Sequence, residues 1–199
     1  MDLEIIFDEH ALYNDLGEMD EGCKKAMKET RSDFRTRNVG VVTKAITAHY
    51  NIKADRVRKD KGKWRNTGEY SGEQEYRSSP IGISTKNFGM TPSMPAPRSA
   101  DRRYAPGVGA MVHMPSPYSL TFTIKKAAVT LPANDGFFIR KDKPGEAWHR
   151  VGAGPDPIEK VKTLSVAAMM QNDAEEDVRK GLEELLDKRM THNLERFVG

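Results

Sequence analysis

A long stretch near the N-terminus carries apolar and small residues at the spacing of one helix face. The positions that share this spacing are Cys23, Met27, Thr30, Phe34, Val41, Val42, Ala45, Ile46 and His49. Acidic residues suit the positive end of a helix dipole, so the helix is predicted to begin at about Asp15 or Asp20 and to end near Tyr50. Gly40 costs only about 1 kcal/mol relative to alanine, too little to end so long a helix. A short helix is predicted next, over residues 55–59.

A second long helix is predicted at the C-terminus. Asn172 or Asp173 can cap it, and Glu175 and Glu176 in the first turn approach a capping box. Its apolar stripe comprises Val178, Leu182, Leu185, Leu186, Leu194 and Phe197, with Met190 at the margin. An apolar stripe on each long helix requires another element to cover it.

Segments between the helices alternate apolar and polar residues with the period of a strand. The apolar positions of the clearest one are Tyr118, Leu120, Phe122 and Ile124. Ile81 and Ile83 share one face of a second predicted strand, which Pro80 would confine to a sheet edge or a strand start. Residues 3–7 are a short β-prone start.

A hairpin is predicted after the turn sequence Asn-Asp-Gly at 134–136. Residues 137–141 form its first strand, a Pro-Gly turn follows at 143–146, and residues 148–151 return. The predicted fold class is α+β, with the long N-terminal helix and the C-terminal helix packed on a small antiparallel β-sheet. At 199 residues the chain is predicted to form a single domain over 1–199.

Residues 89–117 are predicted to form an extended Pro/Met-rich loop, because their composition cannot maintain a ladder or a helix. The prolines are Pro92, Pro95, Pro97, Pro106, Pro115 and Pro117. Two interpretations remain open. Met90, Met94, Met111 and Met114 can pack against a partner with little demand on shape, or the loop is a tolerated insertion.

The net charge of +3 hides a strong segregation. Residues 1–22, which include an acidic N-terminal leader at 1–17, carry eight acidic residues and no Lys or Arg. Residues 23–63 carry thirteen Lys or Arg residues against four acidic ones, a balance of +9. Such segments can pair within one subunit or head to tail between neighbours in a ring, and the sequence leaves both open.

Motifs for catalysis are missing from the sequence. Cys23 is the single cysteine, so neither an internal disulfide nor a cysteine-based zinc site is expected. The five histidines are scattered without metal-ligand spacing, and no phosphate-binding or nucleophile motif occurs. We therefore predict no catalytic residue, no metal site, no cofactor and no enzymatic activity. The chain also lacks an apolar run of membrane-spanning length and a signal peptide, which predicts a soluble protein made in the cytoplasm.

The hairpin region also carries a family resemblance. Gly-Phe-Phe-Ile at 136–139 is followed by Pro-Gly at 144–145, His149-Arg150 and Pro-Ile-Glu-Lys at 157–160, ahead of the C-terminal helix. This order resembles the bacteriophage lambda-type minor tail protein Z (tail-completion) family, as does the basic first helix followed by Lys-Ala-Asp-Arg-Val-Arg at 53–58. A departure lies at 162–166, where Lys-Thr-Leu-Ser-Val stands for the family's usual Gly-Pro-Ser-Val.

The resemblance implies a structural virion protein at the head-proximal end of a siphophage tail, where it completes the tail and helps head–tail joining. Its implied partners are the tail-terminator, tail-tube and head-completion proteins, further copies of itself in a ring, sixfold by analogy, and nearby phage DNA. No membrane partner is implied. The residues that we predict at interfaces are Asp8, Glu9, Lys24, Lys28, Arg31, Arg35, Met94, Met111, Met114, Trp148 and Arg150.

A different function is also open. The basic surface of residues 23–63, with Trp64, Tyr70 and Tyr76 interleaved downstream, is typical of surfaces that hold phosphates and stack bases. The alternative is therefore a small basic nucleic-acid-binding protein. No helix-turn-helix, zinc-finger or RNA-binding motif accompanies this surface.

Overall fold

The computed structural model describes residues 3–7, 21–76, 79, 82–95, 102–105, 109–113, 119–125, 128–132, 136–151 and 157–198. The fold is mixed α+β, with two long helices and small antiparallel sheets, as the sequence predicts. The chain divides into two compact units. The first comprises Met1–Pro80 with Leu164–Gly199, and the second comprises Ile81–Thr163. That residues 1–199 behave as a single domain stays a prediction.

The long N-terminal helix, α1, extends over Glu21–His49, and α2 follows over Ala54–Lys59, so both predicted helices are confirmed. The predicted start of the first helix, at about Asp15 or Asp20, lies outside the described residues. Gly40 lies exposed inside α1 without ending it. The buried positions of α1 are Ala26, Met27, Thr30, Phe34, Asn38, Val39, Val42, Thr43, Ala45 and Ile46. Cys23, Val41 and His49, which the periodicity assigns to the same face, are only half-buried.

The C-terminal helix, α4, covers Glu175–Phe197 and packs along α1. It is preceded by a helix that the sequence did not predict, α3 at Val166–Gln171, whose N-cap Ser165 accepts a hydrogen bond from the Ala168 amide at 3.2 Å. The predicted caps Asn172 and Asp173 are wrong. The N-cap of α4 is Ala174, because Asn172 ends α3.

The apolar stripe of α4 is less buried than the periodicity predicts. Val178 is buried, whereas Leu182, Leu185, Leu186, Leu194 and Phe197 are half-buried. A buried polar residue, Asn193, takes a position that a purely apolar stripe would not predict. The helix pair therefore does not close on a purely aliphatic seam.

A polar seam joins α1 to α4. The Asn193 side-chain amide donates to Thr30 Oγ1 at 3.1 Å and lies 3.5 Å from Asp33 Oδ2. Arg189 Nη1 also lies 3.5 Å from Asp33 Oδ2. Thr30 in turn donates to the Ala26 carbonyl at 2.8 Å. Thr30 and Asn193 are both buried, and these bonds satisfy polar groups that would otherwise be costly in the core.

Tyr50 ties the end of α1 to the turn before α4. Its hydroxyl donates to the carboxylate of Asp173, and the side chain is 2% exposed. Burial, followed by this hydrogen bond, raises the pKa of Tyr50 to about 12. Burial also raises the pKa of Tyr76.

These shifts predict a loss of stability in alkali. The unfolded chain releases the tyrosine proton near pH 10, whereas the folded chain holds it to about 12, so stability is complete below about pH 10 and falls as pH rises through about 12. The contribution of Tyr50 is about 3 kcal/mol. Denaturant titrations at pH 8 and above measure it: Tyr50→Phe should flatten the decline, whereas Tyr104→Phe, at an exposed site, should not. Equal declines in the two variants would contradict the assignment.

The first unit also contains a three-stranded antiparallel sheet. Its strands are β1 (Leu3–Phe7), β2 (Lys61–Asn66) and β3 (Gly72–Tyr76), in the order β1-β3-β2. The predicted β-prone start is thus confirmed as an edge strand. The ring of Trp64 on β2 lies so close to Gly72 that a side chain there would displace it, and the ring also packs at 6.4 Å from Phe34 of α1.

The second unit contains three small antiparallel sheets. Strand β4 (Arg102–Ala105) pairs with β5 (Ala110–His113), and β6 (Ser119–Thr123) pairs with β7 (Ala128–Pro132). Strands β8 (Phe137–Arg140), β9 (Lys143–Arg150) and β10 (Ile158–Lys160) form a sheet in the order β10-β9-β8. The core of this unit consists of Met90, Leu120, Phe122, Ile139 and Ala147.

Strand β6 confirms the clearest predicted strand, with Leu120 and Phe122 buried. The strand predicted through Ile81 and Ile83 is wrong where the structure describes it: residues 82–84 are not in a strand, and a 3₁₀ helix follows at Thr85–Phe88. The reason is Gly82, whose φ of 72° is incompatible with an extended strand. Ile83 is nevertheless buried.

The hairpin 137–151 is confirmed, but its predicted turn is wrong. The chain reverses at Lys141 and Asp142, and Pro144 and Gly145 belong to β9. Arg140 stabilises this turn by donating to both carboxylate oxygens of Asp142, at 2.8 and 2.6 Å. The Ile-Glu-Lys part of the Pro-Ile-Glu-Lys sequence forms the third strand, β10, which pairs with β9.

The prediction that residues 89–117 are an extended loop without a ladder is wrong in its middle. Strands β4 and β5 pair in register, with Arg102 opposite His113 and Ala105 opposite Ala110. Neither strand contains proline or glycine, because the prolines of this segment fall outside 102–105 and 110–113. Of the helices in the described ranges, none has the length and hydropathy that a membrane span requires.

Candidate functional site

Three of the predicted interface cations at the start of α1 are bound within the chain. Lys24 pairs with Glu21 at 3.0 Å, and Lys28 pairs with Glu69 at 2.6 Å. Arg31 donates to the Gly68 carbonyl at 3.0 Å. The contacts of Lys28 and Arg31 attach α1 to the connection between β2 and β3, whereas the pair of Lys24 lies within α1.

A cleft of about 510 Å³ opens beside these pairs. Its lining residues are Glu21, Lys24, Lys25, Lys28, Glu69 and Tyr70. The hydrogen bond and charge of Glu21 raise the pKa of Lys24, those of Glu69 raise the pKa of Lys28, and the hydrogen bond from Lys28 lowers the pKa of Glu69. The cleft is thus lined by fixed charges of both signs, and three lysines outnumber two carboxylates.

Other charges of residues 23–63 are also paired locally. Ion pairs join Arg37 to Asp33 at 3.5 Å, Arg56 to Asp60 at 2.5 Å and Arg58 to Asp55 at 3.2 Å. Arg35, a predicted interface residue, is exposed on α1. Five of the thirteen cations of residues 23–63 are therefore ion-paired within the chain, namely Lys24, Lys28, Arg37, Arg56 and Arg58.

The aromatic residues expected to stack bases beside this helix do not form such a surface. Tyr70 is 3% exposed and Tyr76 is fully buried, so the prediction is wrong for both. Trp64 is half-buried against Gly72 and Phe34. The rings instead hold the first unit together, a role that composition alone could not distinguish from nucleic-acid stacking.

The methionines of the Pro/Met-rich segment separate into two groups. Met90 lies in the core, which is contrary to a role at an interface. Met94 and Met111 are 63% and 54% exposed. Met111 lies directly opposite Tyr104, itself 61% exposed, on the two-stranded ribbon β4–β5. Met114, Asp8 and Glu9 lie outside the described residues.

Trp148 and Arg150 lie on β9 and share one face of the β8–β9–β10 sheet. Phe138 of β8 and Lys160 of β10 both lie directly opposite Trp148. The guanidinium of Arg140 lies 5.0 Å from the Trp148 ring centroid, and the Lys143 ammonium lies 5.2 Å from it. The sequence prediction missed Phe138, Arg140 and Lys143, although the two-residue period would have placed 138 and 148 on faces of neighbouring strands.

In the parts of the chain that the structure describes, no group of three or more His, Cys, Asp and Glu is placed to hold a metal ion. His49 contacts Asp177 at 2.8 Å, and His149 lies 4.0 Å from Glu159. The absence of enzymatic activity stays a prediction.

Comparison of the chain with protein-family models, with curated proteins and with solved structures finds no match. The resemblance at 136–160 therefore stands on its residues alone.

Proposed function

We propose that this chain is a structural virion protein that completes a siphophage tail at its head-proximal end and helps head–tail joining. In this role it assembles into a homo-oligomeric ring and contacts the tail-terminator, tail-tube and head-completion proteins. The resemblance of residues 53–58 and 136–160 supports the proposal, as does the order of a basic first helix, small sheets and a closing C-terminal helix.

The observation that carries the assembly is the β4–β5 ribbon. Among the described strands it pairs with no third strand, and an isolated two-stranded ribbon is marginally stable in water. Tyr104 and Met111 form an exposed cross-strand apolar pair on one of its faces. Large exposed apolar side chains that lie together mark interaction surfaces. A neighbouring subunit that covers this pair would stabilise the ribbon and the ring together.

The acidic leader requires a different test from simple removal. If the acidic leader crosses an interface in the ring, deletion of residues 1–17 should leave a folded monomer that no longer completes tails. However, Leu3–Phe7 is a strand paired along the full length of β3. Such a deletion would remove a sheet edge as well as the acidic groups. Neutralising the acidic residues after this strand, including Asp8 and Glu9, would preserve β1 and isolate their charge.

The assembly prediction is tested with Tyr104→Ser combined with Met111→Ser. We expect the wild-type chain to form rings of fixed copy number that resist a salt increase from about 0.1 to about 1 M, because apolar contacts are not screened. The double variant should be a folded monomer. Val129→Ser, at a 42% exposed site on β7, should leave the ring intact. Light scattering and electron microscopy measure copy number.

Tail completion itself is tested by mixing the rings with purified tail tubes. Rings should bind at one tube end, as seen by electron microscopy, and the double variant should not. The proposal of ring assembly through this pair is refuted if the wild-type chain stays monomeric or if the double variant still forms rings. The proposal of tail completion is refuted if the rings do not bind tube ends. Nucleic-acid binding through residues 23–63 is not favoured, because Tyr70 and Tyr76 are buried.

A further inference from the structure

The β8–β9–β10 sheet has two chemically different faces. One face contributes Ile139 and Ala147 to the core of the second unit. The opposite face presents Phe138 beside Trp148, two large aromatic residues in direct cross-strand register. Aromatic residues usually gain most from burial in a core, so a pair of them on the face opposite the core cluster requires an explanation.

Cations lie over both rings. The Arg150 guanidinium is 5.2 Å from the Phe138 ring centroid, and Arg140 and Lys143 lie at 5.0 and 5.2 Å from that of Trp148. Cations are attracted to aromatic rings in contacts of this kind, and a guanidinium can stack on a further planar group. The face thus combines aromatic rings with cations that lie 5.0–5.2 Å from the ring centroids.

The charges on this face are only partly balanced. Arg140 is bound to Asp142, and Lys160 is bound to Glu146 at 3.1 Å. Burial opposes ionisation of Glu146, but hydrogen bonds from Ser84 and Lys160 outweigh it, and the pKa of Glu146 is lowered. Lys143 and Arg150 are exposed, and Lys143 adds to the effect of Arg140 in lowering the pKa of Asp142. The ammonium of Lys143 and the guanidinium of Arg150 are thus both accessible to an anionic ligand.

We infer that this sheet face binds single-stranded nucleic acid, with phosphates on Lys143 and Arg150 and bases stacked over the guanidinium planes of Arg140 and Arg150. The ligand class follows from the combination of groups. Cations alone would bind any polyanion, whereas aromatic rings and guanidinium groups on one sheet face favour a polyanion that also has exposed planar bases. A duplex keeps its bases stacked inside and offers this face its phosphates alone. The site uses none of residues 23–63 and does not depend on ring assembly.

The test measures binding of the full chain to a fluorescein-labelled oligothymidylate of about 20 nucleotides, and to a duplex of equal length, by fluorescence anisotropy. Lys143→Gln combined with Arg150→Gln should weaken single-strand binding about tenfold or more and should lower the salt slope by about 1.4, since two phosphate contacts are lost. Lys44→Gln combined with Lys59→Gln makes the same charge change at exposed sites on α1 and α2 and should have little effect.

A second readout reports stacking. In a Trp64→Phe background Trp148 is the sole tryptophan. Bases stacked on the Arg140 guanidinium, which lies 5.0 Å from the Trp148 ring centroid, should change the fluorescence of Trp148 when oligonucleotide is added. Equal affinity for duplex and single strand would overturn the inference in favour of phosphate contacts alone. An equal loss of oligonucleotide affinity in both double variants would overturn the inference, because binding would then depend on the net charge of the chain and not on this sheet face. Binding of a peptide of residues 8–22 at this face, with no oligonucleotide binding, would assign the face to an acidic segment of another copy.

Discussion

Replacing Gly82 with alanine is expected to destabilise the second unit by about 2–5 kcal/mol, which places it among the most damaging single changes in the chain. Two effects add. The backbone of Gly82 has a φ of 72°, a conformation that costs an alanine about 1–2 kcal/mol. An added Cβ would also overlap the backbone carbonyl of Thr163, which cannot move aside as a flexible side chain could.

The matched control is Gly109→Ala. Gly109 has a similar φ of 67°, but an added Cβ there would meet no atom within 4 Å. We expect it to cost only the conformational term of about 1–2 kcal/mol. Urea denaturation of both variants separates the two effects. Indistinguishable midpoints would mean that the contact of Gly82 with the Thr163 backbone contributes nothing measurable.

Truncation of the core of the second unit is the other large effect. Leu120 is fully buried in the cluster with Phe122 and Ile139, so Leu120→Ala should lower the free energy of unfolding by about 2–5 kcal/mol through lost burial and the cavity left behind. Val129→Ala, on the paired strand but 42% exposed, should cost well under half of that. Thermal and denaturant unfolding measure both.

Leu120→Ala and Val129→Ala also test whether the two compact units unfold together. If residues 1–199 unfold as the predicted single domain, Leu120→Ala shifts one common transition, and probes in α1 and in the second unit report the same midpoint. A Leu120→Ala variant with the stability of Val129→Ala would mean that the cluster around Leu120 is not a packed core.

Periodic elements could be predicted from the sequence because burial repeats along them. The face of α1 was predictable from Met27 to Ile46, and so was β6 from Leu120 and Phe122. Asn38 was not predictable: it lies fully buried within α1, and its amide has no hydrogen-bond partner among the described residues. A buried amide without a partner has no pattern in a single sequence, since polar residues there suggest exposure.

Turns and caps were less predictable because several local solutions compete. Pro144-Gly145 is a good turn sequence, but the carboxylate of Asp142 accepts two hydrogen bonds from Arg140 and favours the reversal two residues earlier. In the 89–117 segment, composition averaged over many prolines concealed two proline-free stretches long enough to pair. Averages over a segment cannot show where the backbone donors remain available.

The sequence predicted which individual residues lie at the candidate surfaces better than it predicted which residues lie next to one another there. Trp148, Arg150, Met94 and Met111 all lie at least partly at the surface, as the sequence led us to expect. Their neighbours could not be assigned, because Phe138 reaches Trp148 only through the register of β8 and β9. Lys24 and Lys28, by contrast, lie at the surface but are occupied by carboxylates of the same chain.

The polar seam between α1 and α4 specifies the register in which the two helices pack. Leucines can pack against an apolar helix in many registers. The Asn193 amide, by contrast, reaches the acceptors of Thr30 and Asp33 in only one register of the two helices. A slip by one turn, about 5.4 Å, would leave the Asn193 amide buried without these acceptors, at a cost of about 1–3 kcal/mol. Where many copies of this chain crowd together, the half-buried leucines of α4 could attract the α1 of another molecule in an incorrect register. The seam makes such exchanges unfavourable and lets each helix recognise its own partner.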